Sequence, residues 1–314
     1  MRVFNKRFIN YHIRWFQRKV LNNYSLKFPE SIQIQTISRC NGRCNFCPYP
    51  EVSDTLTHGL IEERVFRGII DELSRHRISV IYPYLMNEPF LDKDIFDKVS
   101  YIKKKMSYVP VVLNTNGLLL TEDRIDTMIS SPLDNLVISL NTVDKESYKK
   151  MMGIDADQIQ ANIDKLLLRL QESNSKITVM ISVIRTADNE SYLDEIFEYC
   201  RKRRMKFFVN DVENRGGNLS SYESIKPSAS IKRKGIRSCI RPLVQAYVLY
   251  NADMVLCCAD WRRQIILGNV LKDGGIEAVW NSDRAKTIRQ TIRKQQFHKI
   301  SICGPCTFKY QCNI

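Results

Sequence analysis

Cysteine is the residue type whose arrangement says most about this chain. Of its 314 residues ten are cysteine, and Cys40-Asn-Gly-Arg-Cys44-Asn-Phe46-Cys47 puts three of them in one short segment. Three thiolates so close in sequence can converge on one metal centre. A structural zinc site takes four protein ligands, yet no fourth Cys or His lies near; the next histidine is His58. Three ligands on a cube of four irons leave one iron open for a substrate or cofactor, which is a catalytic arrangement. Gly42 is expected to let this loop turn back on itself.

A second group follows near the end: Cys239, Cys257, Cys303-Gly-Pro-Cys306 and Cys312. Two distant cysteines and a Cys-x2-Cys pair supply four thiolates, enough to close every iron of a second [4Fe–4S] cluster. A zinc site of four cysteines has the same ligand count, and spacing leaves both open. Cys258 adjoins a ligand without being needed as one. It reads either as a buried neighbour or as a thiol whose weak S–H bond gives a hydrogen atom to a substrate radical. Cys200 stands alone and reads as a small buried hydrophobe. The N-terminus has no continuous apolar h-region, so the expected compartment is the cytoplasm. There, grouped cysteines read as metal or redox sites before disulfides. No apolar run approaches the ~20 residues of a membrane span.

The elements that must position these thiols follow a regular rhythm. Candidate strands are 32–37, 78–85, 109–113, 136–140, 177–184 and 206–210, with helical periodicity near 61–75, 92–106, 121–129, 157–172 and 189–203. Six strands alternating with helices imply a parallel sheet of right-handed crossovers. The predicted fold class is α/β: a partial (β/α)6, TIM-like barrel over 31–215, with ligands at the C-terminal ends of the strands. Residues 216–237 read as a linker. Residues 238–314 read as a small C-terminal domain around the second cysteine group, a β-hairpin (246–250 and 254–257) plus a helix over 283–296, which the resemblance given below implies to be an iron–sulfur domain. Residues 1–30 form a basic extension. Its first 29 residues hold seven Lys and Arg and no acid. Phe4, Phe8, Ile13, Phe16 and Val20 predict an amphipathic helix packed on the main domain, with membrane-surface or partner contact as the alternative.

The net charge of +14 suits nucleic acid, an anionic surface or an acidic substrate. Lys202–Arg204, Lys232–Lys234 and residues 284–299 could touch phosphates. Charge runs on helices are usually solvated faces, however, and no aromatic platform accompanies them. Nucleic acid is not an expected partner.

The first cysteine motif, Cys-x3-Cys-x2-Cys with an aromatic before the third Cys and a strand before the first, resembles the radical S-adenosylmethionine (radical SAM) superfamily. The resemblance spans roughly residues 31–215. It implies a SAM-binding [4Fe–4S] cluster on Cys40, Cys44 and Cys47. The open iron would chelate S-adenosylmethionine, whose reductive cleavage gives a 5′-deoxyadenosyl radical that abstracts a substrate hydrogen atom. Asn87-Glu88-Pro89 stands where the family usually has Gly-Glu-Pro, so Glu88 would bind the methionyl ammonium. Thr115-Asn116-Gly117 resembles the family's turn near the cofactor. Ser139 and Asn141 match the position that contacts ribose or carboxylate, and Phe46 would lie against the adenine. The tail resembles the SPASM/twitch extension, through Cys257-Cys258-Ala-Asp260, Gly268-Asn269-Val270, Val279-Trp280-Asn281-Ser282, Arg289 and Cys-x2-Cys-x5-Cys. Ala252 replaces a usual Gly, and the later cysteines of a full SPASM domain are missing. One auxiliary [4Fe–4S] cluster on Cys239, Cys257, Cys303 and Cys306 is therefore implied, as in twitch enzymes, with Cys312 a spare thiol or alternative ligand.

The expected function is a radical SAM oxidoreductase or epimerase acting on a small polar metabolite such as a sugar or aminocyclitol, in natural-product biosynthesis. Only about 30 residues precede the first strand, below the size of a separate peptide-recognition domain. The alternative is epimerisation or crosslinking of a ribosomally made peptide, its acidic leader docked on the basic surface. A nucleic-acid-binding protein with structural metal sites is the reading from another class, and transfer RNA as substrate a further one. The expected partner is a flavodoxin- or ferredoxin-type electron donor. Asp260, Trp261, Asn214, Arg215, Tyr82 and Tyr84 are pocket candidates by position.

Overall fold

The computed structural model describes residues 26–228 and 239–308. The expected N-terminal helix and Cys312 lie outside the described residues. Six parallel strands appear in the predicted order: β1 (Ser31–Ile34), β2 (Val80–Tyr82), β3 (Val112–Thr115), β4 (Asn135–Ser139), β5 (Thr178–Arg185) and β6 (Lys206–Asp211). β3 to β6 form one sheet, with Val112 opposite Asn135, Asn135 opposite Thr178, and Met180 opposite Lys206. β1 and β2 pair with Ser31 opposite Val80. Among the described residues a single parallel bridge, Ile81 to Val111, joins the two sets. The strands thus follow one another as an open arc.

The helices cover the outside of the arc. In Glu63–Leu73 the buried residues are Val65, Phe66, Ile69, Ile70 and Leu73, one stripe of a 3.6-residue period. Their partners are the alternating residues of the strands: Ile32, Ile34, Ile81 and Leu113 are all sealed from solvent. Caps set the helix starts. Thr121 accepts from Arg124 N, and Asp144 from Ser147 N.

The C-terminal region adds its strands to the sheet of β1 and β2. Its hairpin, β7 (Gln245–Val248) and β8 (Asp253–Val255), exists, and a third strand, β9 (Ile266–Asn269), follows it. β7 runs parallel to β1, with Ser31 opposite Gln245. The order is β2-β1-β7-β8-β9. β7 takes the free edge of β1, and among the described residues the arc does not close. The two halves therefore share one sheet. A second tie is Glu72, whose carboxylate accepts from Ile276 N (2.8 Å) and Glu277 N (2.9 Å) at the start of the helix Ile276–Trp280. Gly275 permits this approach: it has φ +106°, and a Cβ there would lie 2.7 Å from a Glu72 oxygen. The helix predicted over 283–296 spans Asp283–Arg293. Among the described residues no helix is long and apolar enough to cross a membrane.

The expected linker is more than a spacer. Residues 215–217 and 222–225 form helical turns, and Tyr222, Glu223 and Lys226 reach the wall of the large cavity described below.

Candidate active site

The strand ends of a parallel arc are where backbone groups lose their ladder partners and loops can meet. Here that meeting is built by hydrogen bonds. Glu88, past the end of β2, donates its N–H to Arg39 O (3.0 Å), which fixes the chain just before Cys40. Its carboxylate accepts from Thr115 Oγ1 (2.7 Å), Asn116 N (2.8 Å) and Phe90 N (3.1 Å). Asn116 Nδ2 donates to Asn41 Oδ1 at 2.7 Å, inside the cysteine loop. Asn45 N and Arg43 N donate to Met151 O and Met152 O, at the end of the helix Lys145–Met152. That helix stops at Gly153 (φ +67°), where a Cβ would press on Arg43 Cβ at 3.1 Å. The loop is gripped from both sides. Gly42 plays a different part from the one expected: its φ is not in the left-handed region, and a Cβ there would make an ordinary 3.5 Å contact with Cys44 Sγ.

Cys40, Cys44, Cys47, Phe46, Glu88, Asn116 and Ser139 all line one cavity of about 1450 Å3. The structure brings these predicted residues together. It does not bring Asn141 there. Asn141 is fully buried, with Nδ2 donating to Met152 Sδ and Oδ1 accepting from Ile184 N (2.7 Å), so it knots the ends of β4 and β5. Tyr82, Tyr84, Arg215, Trp261 and Cys258 are on the cavity wall. Asp260 is not: its carboxylate caps a turn, accepting from Gln264 N and Ile265 N at 2.8 Å. Asn214 instead fastens the second cysteine loop, donating from Nδ2 to Pro305 O (2.7 Å) and from its N–H to Thr307 Oγ1 (2.9 Å). Cys200 is fully buried, as expected of a small hydrophobe.

Sequence reasoning missed the polar inner face of the arc. Beside the expected Ser139, Asn114, Asn135, Ser182 and Asn210 line the cavity. Every second residue of each strand faces inward; a polar residue recurring at those positions was the available signal.

Cys239, Cys257, Cys303 and Cys306 line a second, much smaller cavity of about 40 Å3, otherwise walled by Arg241 and apolar side chains such as Phe297, Ile302 and Phe308. Gly216 packs under it; at φ +68° its Cβ would come within 3.0 Å of Ile302 O.

The donor sets fit iron–sulfur clusters. Burial pushes the Cys40, Cys239 and Cys303 thiols up to about 12, and raises Cys44, Cys47, Cys257 and Cys306 as well. After burial, mutual repulsion is a further cause: Cys47 and Cys40 act on Cys44, and Cys239 and Cys306 act on Cys303. Such thiols become thiolates only when a positive centre takes their charge.

The carboxyl of Glu88 is pushed up to about 7 by burial, against the pull of its three donors. The other carboxylates on the wall have cationic partners: Asp211 pairs with Arg185 at 2.7 Å, Glu213 with Arg241 at 3.1 Å and Glu223 with Lys226 at 2.6 Å. Glu88 is held by neutral donors. A carboxylate has about four acceptor sites, so one position remains for a ligand's N–H.

A sequence profile of the radical SAM superfamily matches residues 34–207. The chain belongs to the radical SAM superfamily. A SPASM profile, described as an iron–sulfur cluster-binding domain, matches residues 239–307. A radical SAM domain followed by a SPASM domain makes this an enzyme of S-adenosylmethionine and two [4Fe–4S] clusters. Among curated relatives, the S-adenosyl-L-methionine-dependent 2-deoxy-scyllo-inosamine dehydrogenase of Niallia circulans is 22% identical over 88% of this chain and 91% of its own. A probable GTP 3′,8-cyclase of Methanococcus aeolicus is 25% identical over 75% and 76%. Among solved structures, BtrN in complex with AdoMet and 2-DOIA aligns with TM-score 0.60 at 18% identity, covering 89% of this chain and 93% of that one. SuiB of Streptococcus suis, bound to precursor peptide SuiA, aligns with TM-score 0.67 at 15% identity over 92% and 73%. Identities this low establish the shared radical SAM fold.

Proposed function

We propose that this radical SAM enzyme oxidises or epimerises a small polar metabolite, of the sugar or aminocyclitol kind, with Cys40, Cys44 and Cys47 holding the reactive cluster. When bound, that cluster and S-adenosylmethionine supply a 5′-deoxyadenosyl radical that removes a substrate hydrogen atom. Glu88 receives the methionyl ammonium at its free acceptor position. Asn116 keeps Glu88 and the cysteine loop in register. Phe46 offers its ring to the adenine, and Ser139 a hydroxyl to the ribose. Cys239, Cys257, Cys303 and Cys306 hold the second cluster. Cys258 supplies a hydrogen atom when the outcome is epimerisation.

The observation that carries the reading is the inner wall of the large cavity. It presents amides and hydroxyls from β3 to β6, while Lys226 pairs with Glu223, and Arg215 and Arg241 share Glu213. Such a wall matches the hydroxyl groups of a small polar substrate by hydrogen bonds. The similarity to a 2-deoxy-scyllo-inosamine dehydrogenase along most of both chains supports the same class. The test is anaerobic turnover with a panel of cyclitols and amino sugars, following 5′-deoxyadenosine. Substrate-dependent formation above the uncoupled background supports the reading; stimulation by none of them, with stimulation by a peptide, overturns it.

A peptide substrate is the second reading. The cavity exceeds the roughly 300–1000 Å3 usual for small-molecule sites, and Phe207 and Phe208 are exposed on β6, at the edge of its sheet. The electron donor in either case is a flavodoxin- or ferredoxin-type carrier, whose acidic surface the +14 chain would attract. The cytoplasm is the compartment that suits such a donor and these oxygen-sensitive centres.

A further inference from the structure

Three charged side chains connect the two cysteine sites. Glu213 follows β6, and its carboxylate accepts from both terminal nitrogens of Arg241, at 3.1 and 3.2 Å. Arg215 Nη1 lies 3.7 Å from the same carboxylate. Arg241 comes two residues after Cys239 and borders both cavities. Its guanidinium lies over the ring of Phe308, 3.2 Å from the centroid, and that ring also borders both cavities. Two positive charges and one negative leave a surplus of one positive charge in this group. The small cavity is otherwise walled by thiols and apolar side chains.

A four-thiolate cluster is anionic, and reduction adds a further negative charge to it. Net charge around a cluster is one of the levers on its potential. A guanidinium cannot lose its proton to escape that role. The bidentate ion pair and the ring stacking hold it in place at the wall.

We propose that Arg241, held by Glu213, is a positioning residue that raises the reduction potential of the cluster in the four-cysteine site. This rests on the reading that Cys239, Cys257, Cys303 and Cys306 bind that cluster. Arg241 favours the reduced form on the side of the small cavity that faces the substrate cavity.

The test is an EPR-monitored redox titration of the full chain carrying Cys40→Ala, Cys44→Ala and Cys47→Ala, so that the four-cysteine cluster alone contributes. Arg241→Gln is expected to lower the reduced-to-oxidised ratio at fixed potential about tenfold, or about 59 mV for a one-electron couple. Arg241→Lys, which keeps the charge, should stay within about threefold of the parent. The same shift should appear in the two-cluster holoprotein, where iron content certifies folding. An unchanged potential in Arg241→Gln with full iron content overturns the proposal and leaves the cluster assignment standing. A triple-alanine parent that binds no iron overturns the assignment beneath it.

Discussion

The two cysteine sites differ in every property that separates a reactive centre from a closed one. The first has three thiols on a loop at the strand ends, beside a cavity of about 1450 Å3. The second has four thiols around about 40 Å3, walled by Phe297, Ile302 and Phe308. The first is built from contacts between distant loops: Glu88 to Arg39, Asn116 to Asn41, Arg43 to Met152. The second is also held by contacts remote in sequence, the end of β6 bound through Asn214 to Pro305 and Thr307. The contrast supports the proposed roles. A missing fourth ligand beside free volume admits a cofactor and a substrate. A four-thiol set around a cavity this small can hold a cluster and pass electrons, and leaves no place for a substrate beside it.

Removing the first site should have the largest effect. With Cys40, Cys44 and Cys47 replaced by Ala, 5′-deoxyadenosine formation should fall to background and iron should drop from about eight to about four per chain. Retained cleavage of S-adenosylmethionine would erase the distinction between the sites. The converse variant, Cys303→Ala with Cys306→Ala, should lose substrate turnover yet keep slow uncoupled cleavage of S-adenosylmethionine, measured by the ratio of deoxyadenosine to product.

Glu88 sharpens the comparison within the first site. Glu88→Gln should weaken S-adenosylmethionine binding by about 1.5–3 kcal/mol, the worth of a charged hydrogen bond, or roughly ten- to a hundredfold. The pH profile separates this from a packing defect. The free carboxyl titrates at about 7, and the ammonium needs its charged form. Affinity should therefore rise up to about tenfold per pH unit as pH approaches 7 from below, then level off. In Glu88→Gln calorimetry should give a flat profile; an unchanged slope would mean that another group titrates.

Cys258 stands on the wall of the large cavity although its neighbour Cys257 lines the small one. Cys258→Ser should abolish any epimerised product while deoxyadenosine formation continues. Product unchanged would make Cys258 a bystander. The smallest expected effect is at the tie between the halves. Glu72→Ala leaves the N–H groups of Ile276 and Glu277 without their partner and should cost about 1–3 kcal/mol. It should lower the thermal midpoint and speed iron loss from the second site, with the first site's iron retained.

Much of this was legible in the residues. The apolar runs at 136–140 and 177–184 fell within a residue of β4 and β5, because short runs rich in β-branched residues favour a strand. Glu88 and Asn116 could be placed near the cysteine loop because the order of strand-end motifs reproduces a known family order. What stayed hidden depends on pairings remote in sequence. No local pattern says that β7 will add to β1, since that register is fixed by edge availability. Asn141 looked like its family counterpart, but its amide ties β4 to β5 and to Met152. β9 was missed because Ile266–Asn269 is short and holds a Gly and an Asn, both weak strand formers. The span 216–237, rich in Gly and Ser, read as a spacer, while Asn218 and Ser221 anchor it through hydrogen bonds to Ala259 O and Asn45 O.

The most direct test of the contrast is Mössbauer spectroscopy of the anaerobically reconstituted chain, with and without S-adenosylmethionine. The account predicts about eight irons, with one cluster acquiring a distinct iron when S-adenosylmethionine is added and the other unchanged. About four irons together with tightly held zinc, or two clusters that both ignore S-adenosylmethionine, would contradict it.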